Sequence, residues 1–508
     1  MIKNILLVDG TNKPAVKADV LVKRDRIAAI GYFPTYKADE VIDGMGAYLT
    51  PGFIDISTNA DLYLNLFSNP SQNEYLLQGV TTIIGGQNGI SLAPLLYGSP
   101  ELNKFWANPH KVLNINWHTF GEFLKNIKKK KFGVNFGTLI GHSTVREALI
   151  GDEFRDLTQK EIEVFGHIVG RAMSEGAFGI SFDLDFPLTS LTPYKEIRSL
   201  LEIVEKYKGL FSVKLRNVSD SSIYLKDVKD KLLDSVEEVV NLSKETGVRT
   251  QISGFSCLKG FEKDYKKSFE IISDNLAVAD VSFDLHPYDI SVLPIFYFLP
   301  LWARRGNFGE IRKNLDSKEL IEKIKKDLPL LKADDIKIFQ APHHEHLVGE
   351  SLKNFCENRG LNAKDGLLNL MKITKLRAEL TYRNISLKSF NEALAHERSI
   401  ISSSFSGFFK KHPGNSMAEN HKTFGKILNL AIKDKIIPVE LAIKKITSMP
   451  AKQLGIKDRG TIKIGNFADL VVLRESGVET VIVNGKIVVR DGELRNSLEG
   501  RILSHKLK

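Results

Sequence analysis

The 508-residue chain has only two cysteines, Cys257 and Cys356, far apart and in no paired motif. That excludes a disulfide framework and a thiolate-rich zinc site, and it suits a reducing compartment. Long apolar runs are missing too. No stretch reaches the roughly 18 apolar residues of a spanning helix; the nearest, around Val292 to Trp302, is short and broken by prolines. The opening MIKNILLVDG is too brief for a secretory signal, and Asp9 interrupts it. A cytoplasmic protein without a membrane partner is expected. Acids are outnumbered, giving a net charge of +10, but apart from the run Lys128 to Lys131 the lysines are spread along helical stretches. A solvated basic face accounts for this. No aromatic-glycine signature of an RNA-binding sheet accompanies it, so no nucleic-acid partner is expected.

What is present is alternation. Strand candidates are Phe53–Ile56, Thr81–Ile84, Gly137–Ile140, Gly179–Phe182, Leu210–Leu215, Arg249–Ile252, Val281–Leu285 and Ile400–Ser402, with helical patterns between them. The clearest helix is Leu232 to Thr246, with Val236, Val239, Val240 and Leu242 on one face and Gly247 as its stop. Strand–helix alternation of this kind suits a parallel (β/α)8 barrel of the TIM type. The two ends of the chain differ from the middle. Residues 1 to about 50, and the stretch GTIKIGNFADLVVLRESGVETVIVNGKIVVRDGEL, read as short strands separated by turn residues.

The most informative stretch runs from Leu49 to Pro94. Its first strand would place Asp55, Ser57 and Asn59 on one face. Its second, Val80 to Ile84, ends in the turn Gly85-Gly86-Gln87-Asn88-Gly89. LTPGFIDISTN resembles the opening strand of amidohydrolases, PGFIDxHxH, and QGVTTIIGGQNGISLAP resembles the N-acyl-D-amino-acid deacylase (D-aminoacylase) branch, VVxGNCGxSLAP. Near the C-terminus, MPAKQLGIKDRGTIKIGNFADLVVL closely mirrors the family string NPAKxLGLxDRGxIKxGxxADLVVL. The resemblance implies an α/β fold with a (β/α)8 barrel at 51–454, carrying an insertion at about 290–350. It also implies a small discontinuous β-sandwich formed by residues 1–50 and 455–508.

The same resemblance implies zinc at the C-terminal strand ends, and hydrolysis that frees a D-amino acid from its N-acyl form. The framing residues match, but the chemical ones differ. Ser57 and Asn59 stand at two histidines and Asn88 at the ligand cysteine. On strand five VKLRNV replaces THIRxE, so Lys214 stands at a histidine and Val218 at the acid, while Arg216 matches. Gly254 stands at the strand-six histidine, and Phe405, or Ser404 one register away, at the catalytic aspartate. Hydroxyls and amides are weak zinc ligands, and a lysine repels the ion. The expectation is a barrel that has lost the metal site and needs no cofactor, with a pocket accepting a small anionic molecule. The alternative is an active hydrolase on non-peptide carbon–nitrogen bonds that uses altered or relocated residues.

Four further residues could line such a pocket: His142 in LIGHST, Arg216, and His286 with Tyr288 in DLHPYD. A buried histidine and an Arg216 ion pair are the plainer readings of the first two. Asp183 and Asp185 follow strand four, where a solvated loop is the plainer reading. Lys214 is the candidate for metal-independent catalysis, since a desolvated lysine can act as nucleophile or base; a salt-bridged or ligand-clamping lysine is the plainer reading. A rival metal site is His343-His344-Glu345-His346. If that run were a strand, His344 and His346 would share a face; a polar surface run is the plainer reading. The sequence leaves the oligomeric state open.

Overall fold

Strands form where the β-branched and aromatic runs lie. The computed structural model describes the chain except residues 62–63, 97–115, 152, 154, 187–188, 217–222, 224–230, 330, 404–421 and 507–508. Phe53–Asp55 pairs in parallel with Val80–Gly85, which pairs with Asn135–Thr138. A second parallel ladder runs through Ile140–Gly141, Gly179–Asp183, Leu210–Lys214, Arg249–Ile252, Val281–Leu285 and Ser399–Ile401. The chain itself joins the ladders at Leu139. At the other end, the structure corrects the expectation of closure by strand pairing. Among the described residues no ladder links Ser399–Ile401 to Phe53–Asp55. Instead the Ser403 amide donates to Asp55 Oδ1 at 3.1 Å and its hydroxyl donates to Asp55 Oδ2. The carboxylate takes the donor that a neighbouring strand would have used.

Period-two alternation sets the two faces of these strands. Ile180 and Phe182, Phe211 and Val213, Ile252 and Phe283 belong to the large apolar core. Their alternates, Ser181 and Asp183, Ser212 and Lys214, Gln251 and Ser253, Ser282 and Asp284, make the opposite face polar. Several buried members of that face are hydrogen-bonded, as buried polar groups usually are. Ser212 Oγ donates to Gln87 Oε1 at 2.7 Å and Gln251 Nε2 donates to Asp284 Oδ2 at 3.1 Å.

The flanking helices follow local rules. The Lys231–Thr246 helix buries Val236, Val239, Val240 and Leu242 as the sequence predicts. Gln159–Glu175 begins at Thr158, whose side chain accepts from the Glu161 amide in a reciprocal capping box.

The terminal segments share one nine-stranded mixed sheet. Tyr48–Pro51 is its seam, parallel to Ile2–Leu7 and antiparallel to Leu470–Arg474. Where two stacked sheets are expected, a single sheet turns back on itself. Ile27 on its edge strand donates to the Asn466 carbonyl, just before Leu470–Arg474. Ile2, Val20, Ile27, Leu49, Leu470, Val472 and Ile482 fill the space between.

The segment after Val281–Leu285 forms a separate antiparallel sheet of Ser291–Pro294, Glu379–Tyr382 and Ile336–Gln340. Its central strand, Glu379–Tyr382, lies beyond the insertion limits of about 290–350 expected from the sequence. This unit has its own core, including Phe296, Ile338, Phe355, Leu367 and Leu380, and Ile90 and Phe186 from the strand-end loops join it.

Candidate active site at the strand ends

Asp183 and Lys214 are register partners on adjacent parallel strands. Two residues on, Asp185 comes around the turn, so Lys214 Nζ lies 3.1 Å from Asp185 Oδ2 and 3.9 Å from Asp183 Oδ2. Asp183 is held in place because its Oδ1 accepts the amides of Asp185 (3.0 Å) and Phe186 (3.1 Å). The Tyr297 ring, from the extra unit, sits 5.5 Å from Lys214 Nζ, and the Arg304 guanidinium lies 5.4 Å from the same ring. The Lys214 side chain is 26% exposed while that of Asp185 is 2% exposed. The Lys214 side chain is thus partly exposed, while the Asp185 side chain is sealed in.

The electrostatics follow from that asymmetry. Burial pushes the Asp183 carboxyl up to about 6; Lys214 opposes the rise and Asp185 adds to it. Burial works against the Lys214 ammonium, but Asp183 and Asp185 outweigh it and hold its pKa above the usual lysine value. Arg304 is pushed down to about 10 by burial, partly offset by Asp185.

A second set of polar groups occupies the neighbouring strand ends. Ser57 Oγ lies 3.2 Å from Ser253 Oγ, and Asn88 Nδ2 donates to Asn59 Oδ1 at 3.3 Å. Gly254 donates its amide to Asp284 Oδ1 at 3.0 Å. Asp284 also accepts from Ser402 Oγ at 2.5 Å, and burial raises its carboxyl pKa. Asp55 is pushed up to about 7, again mainly by burial, with hydrogen bonds from Ser403 opposing the rise. Ser404, Phe405 and Val218 lie outside the described residues.

The Amidohydrolase family model (Amidohydro_3) matches residues 406–489. The D-aminoacylase of Alcaligenes xylosoxydans xylosoxydans is 26% identical over 98% of this chain and 96% of its own length. The crystal structure of a D-aminoacylase superposes with a TM-score of 0.80 at 25% identity, over 99% of both chains. Along nearly its whole length the chain is similar to amidohydrolases of the D-aminoacylase branch. An N-acyl-D-glutamate deacylase from Bordetella bronchiseptica, 21% identical, shares the fold with a TM-score of 0.80 over 99% of this chain and 98% of its own. The parallel strands and flanking helices are therefore an α/β fold of the TIM-barrel type.

Amidohydrolases of this branch use zinc or other metals, and the N-acyl-D-glutamate deacylase structure holds zinc beside a phosphonate mimic of the tetrahedral intermediate. Zinc takes thiolate, imidazole or carboxylate donors. Ser57, Asn59 and Asn88 offer a hydroxyl and two amides, Gly254 offers no side chain, and Lys214 offers an ammonium already bound to two acids. No group of three or more His, Cys, Asp or Glu suited to a metal is gathered among the described residues. The described donors do not fit the ion.

The other residues singled out in the sequence separate into distinct environments. His142 is fully buried, stacked 4.2 Å from the Phe182 ring, with Nε2 2.7 Å from Glu196 Oε1. Burial pulls its pKa down, against the pull of Glu196. Arg216 donates to both Glu238 oxygens and to the carbonyls of Ser190 and Thr192. Every arm of its guanidinium is used within the chain. His286 and Tyr288 stay together, with ring centroids 5.8 Å apart. Burial depresses His286 to about 4, and Lys426 adds to the effect. Lys426 Nζ lies 4.0 Å from the Tyr288 ring centroid.

The strand geometry that would pair His344 with His346 is absent from the His343–His346 run. His343 has a φ of +66° and Glu345–Leu347 is a 3-10 turn, so period-two geometry does not apply. His344 Nε2 lies 3.0 Å from the Ile373 carbonyl. Sequence reasoning missed Tyr297, Arg304 and Lys426 at the site. The LPLWARRG stretch carried the first hint, since a buried arginine there needs an acid, but only the fold shows that the acid is Asp185.

Proposed function

We propose that this chain is an amidohydrolase-type enzyme acting on a carbon–nitrogen bond outside a peptide, with altered residues at the reacting centre. The observation that carries the reading is the Lys214–Asp183–Asp185 cluster, a partly exposed lysine held on two carboxylates at adjoining strand ends. Similarity along nearly the whole chain to D-aminoacylase, and to an N-acyl-D-aspartate deacylase at 27% identity over 97% of this chain, supports the reaction class. The eight parallel strands form one barrel, with the Asp55–Ser403 contact as its closing seam.

In this reading the Lys214 ammonium donates to the acyl oxygen and stabilises the negative charge that grows there when water attacks. Asp183, with a carboxyl near 6, takes the proton from the attacking water and passes it to the leaving nitrogen. The carbon–nitrogen bond breaks, giving a carboxylate and a free amine. Asp185 keeps Lys214 charged and positioned. The substrate class, an N-acyl-D-amino acid, is taken from the named relatives, and its carboxylate makes it a small anion.

A second reading is favoured by the donor chemistry: a cytoplasmic barrel of this family that binds a small anion without hydrolysing it. The experiment that separates the two is an assay of released amine on a panel of N-acetyl-D- and N-acetyl-L-amino acids. Turnover of a D-series substrate, lost in Lys214→Met, supports the enzyme. Saturable binding of the same compounds without turnover supports the second reading.

A further inference from the structure

The extra unit holds a cavity that the proposed chemistry does not use. It measures about 390 Å³, and Arg312, His343, His344, Lys375 and Arg377 are among its lining residues. That volume falls in the range of small-molecule sites, ~300–1,000 Å³. Among the described residues no aspartate or glutamate lines it. Glu345 is nearby, where its Oε1 accepts the His343 amide at 3.2 Å, but it is not part of the wall.

The charges in this wall are unusual because nothing in the described chain answers them. Arg312 Nε is buried without a hydrogen-bond partner. None of the Arg312, Lys375 and Arg377 side chains forms an ion pair or hydrogen bond with another described residue. Arg216, by contrast, is engaged by Glu238 and the Ser190 and Thr192 carbonyls, and Arg459 pairs with Asp469.

A plainer explanation covers part of the pattern. The helix Ala363–Ile373 ends at the cavity, and cations are favoured at a helix C-terminus by ~0.3–1 kcal/mol. That accounts for Lys375 or Arg377. It does not account for Arg312, which projects from a different helix, Phe308–Asp316. His344 is also fixed here, through Nε2 against the Ile373 carbonyl, so its ring is oriented before any ligand arrives.

We infer that this cavity is a second binding site, for a small molecule bearing several negative oxygens. Two guanidinium groups and an ammonium around one void match phosphate or carboxylate oxygens, which arginine can grip through two parallel hydrogen bonds. A phosphate ester and a polycarboxylate share that chemistry. The site is separate from the Lys214 cluster, so its occupancy does not depend on the reaction class proposed above.

The test is calorimetric titration of the full chain with inorganic pyrophosphate and, separately, with citrate, at matched ionic strength. Saturable binding of pyrophosphate, about one equivalent, identifies a phosphate ligand; saturable binding of citrate instead identifies a polycarboxylate. In either case the double variant R312Q/R377Q should weaken binding at least about tenfold. Lys375→Gln, at an exposed position, should weaken it about threefold and carries the test if the double variant does not fold. Absence of saturable binding to both probes overturns the inference. So does binding that neither Lys375→Gln nor a folded double variant weakens.

Discussion

Asp183 and Lys214 face each other across two neighbouring parallel strands, with their Cα atoms in register and their charges 3.9 Å apart. A one-residue slip of either strand would turn one of them into the apolar core. Their pairing is therefore tied to the same register that packs Phe182 and Val213.

Removing Lys214 should cost more than its own contacts. In Lys214→Met, Asp183 and Asp185 are left as a buried acid pair with only Arg304 as a nearby positive charge. Breaking a buried pair this way typically costs ~3–5 kcal/mol, and partial exposure of Lys214 places this case at or below the lower end. Urea unfolding at pH 8 should show the loss. The triple variant Lys214→Met, Asp183→Asn, Asp185→Asn should recover most of it.

Asp55 should make stability fall as pH rises. Its carboxyl is raised to about 7 in the folded chain, so between about pH 4 and 7 the folded state keeps a proton that the unfolded state has released. The stabilisation is complete below the unfolded pKa and is lost through pH 7. Each pH unit separating the folded and unfolded pKa values is worth about 1.4 kcal/mol, so the effect is a few kcal/mol. Denaturant midpoints of the wild type and Asp55→Asn between pH 4.5 and 8 should diverge, with the variant flatter and relatively better at pH 8. Lys445, depressed to about 7 by burial, acts mainly above that window and with the opposite sign, and it is common to both proteins.

Arg216 should prove a structural clamp. Its hydrogen bonds to Glu238, Ser190 and Thr192 tie the Lys231–Thr246 helix to the loop after Gly179–Asp183. Lysine cannot reproduce that fork. Arg216→Lys should lower stability by ~1–3 kcal/mol while leaving the KM of any substrate found within about twofold. A large rise in KM with unchanged stability would contradict this assignment.

Gly254 gives a direct check on the strand-six end. A Cβ built there meets nothing within 4 Å, yet φ is +64°. Gly254→His should therefore fold, at a cost of ~1 kcal/mol for a non-glycine residue in the left-handed region. A much larger loss of melting temperature would mean that the space is filled.

The parallel strands were readable because β-branched runs end in glycine, asparagine or aspartate turns. Gly179–Asp183 and Leu210–Lys214 fell within a residue of their sequence-based limits. The polar face was readable as well, since GISFD and LFSVK alternate serine, then charge, with apolar residues. What stayed hidden was pairing over distance. Nothing local says that Asp185 answers both Lys214 and, 119 positions further along the chain, Arg304, or that Asp55 binds Ser403. For the His343–His346 run a polar surface stretch was the plainer reading, and His343, Glu345 and His346 are exposed. Its residue types suggested a metal site, but a left-handed His343 breaks the period-two geometry on which that reading depends.

The most direct measurement is the rate of amine release from an N-acetyl-D-amino acid by wild type and Lys214→Met, each stripped with chelator and then reloaded with zinc. The account predicts that stripped wild type keeps its activity, that zinc adds little, and that Lys214→Met loses at least about a hundredfold, as is usual when one charge-stabilising donor is removed. Activity that vanishes on stripping, returns with zinc and survives Lys214→Met would contradict it.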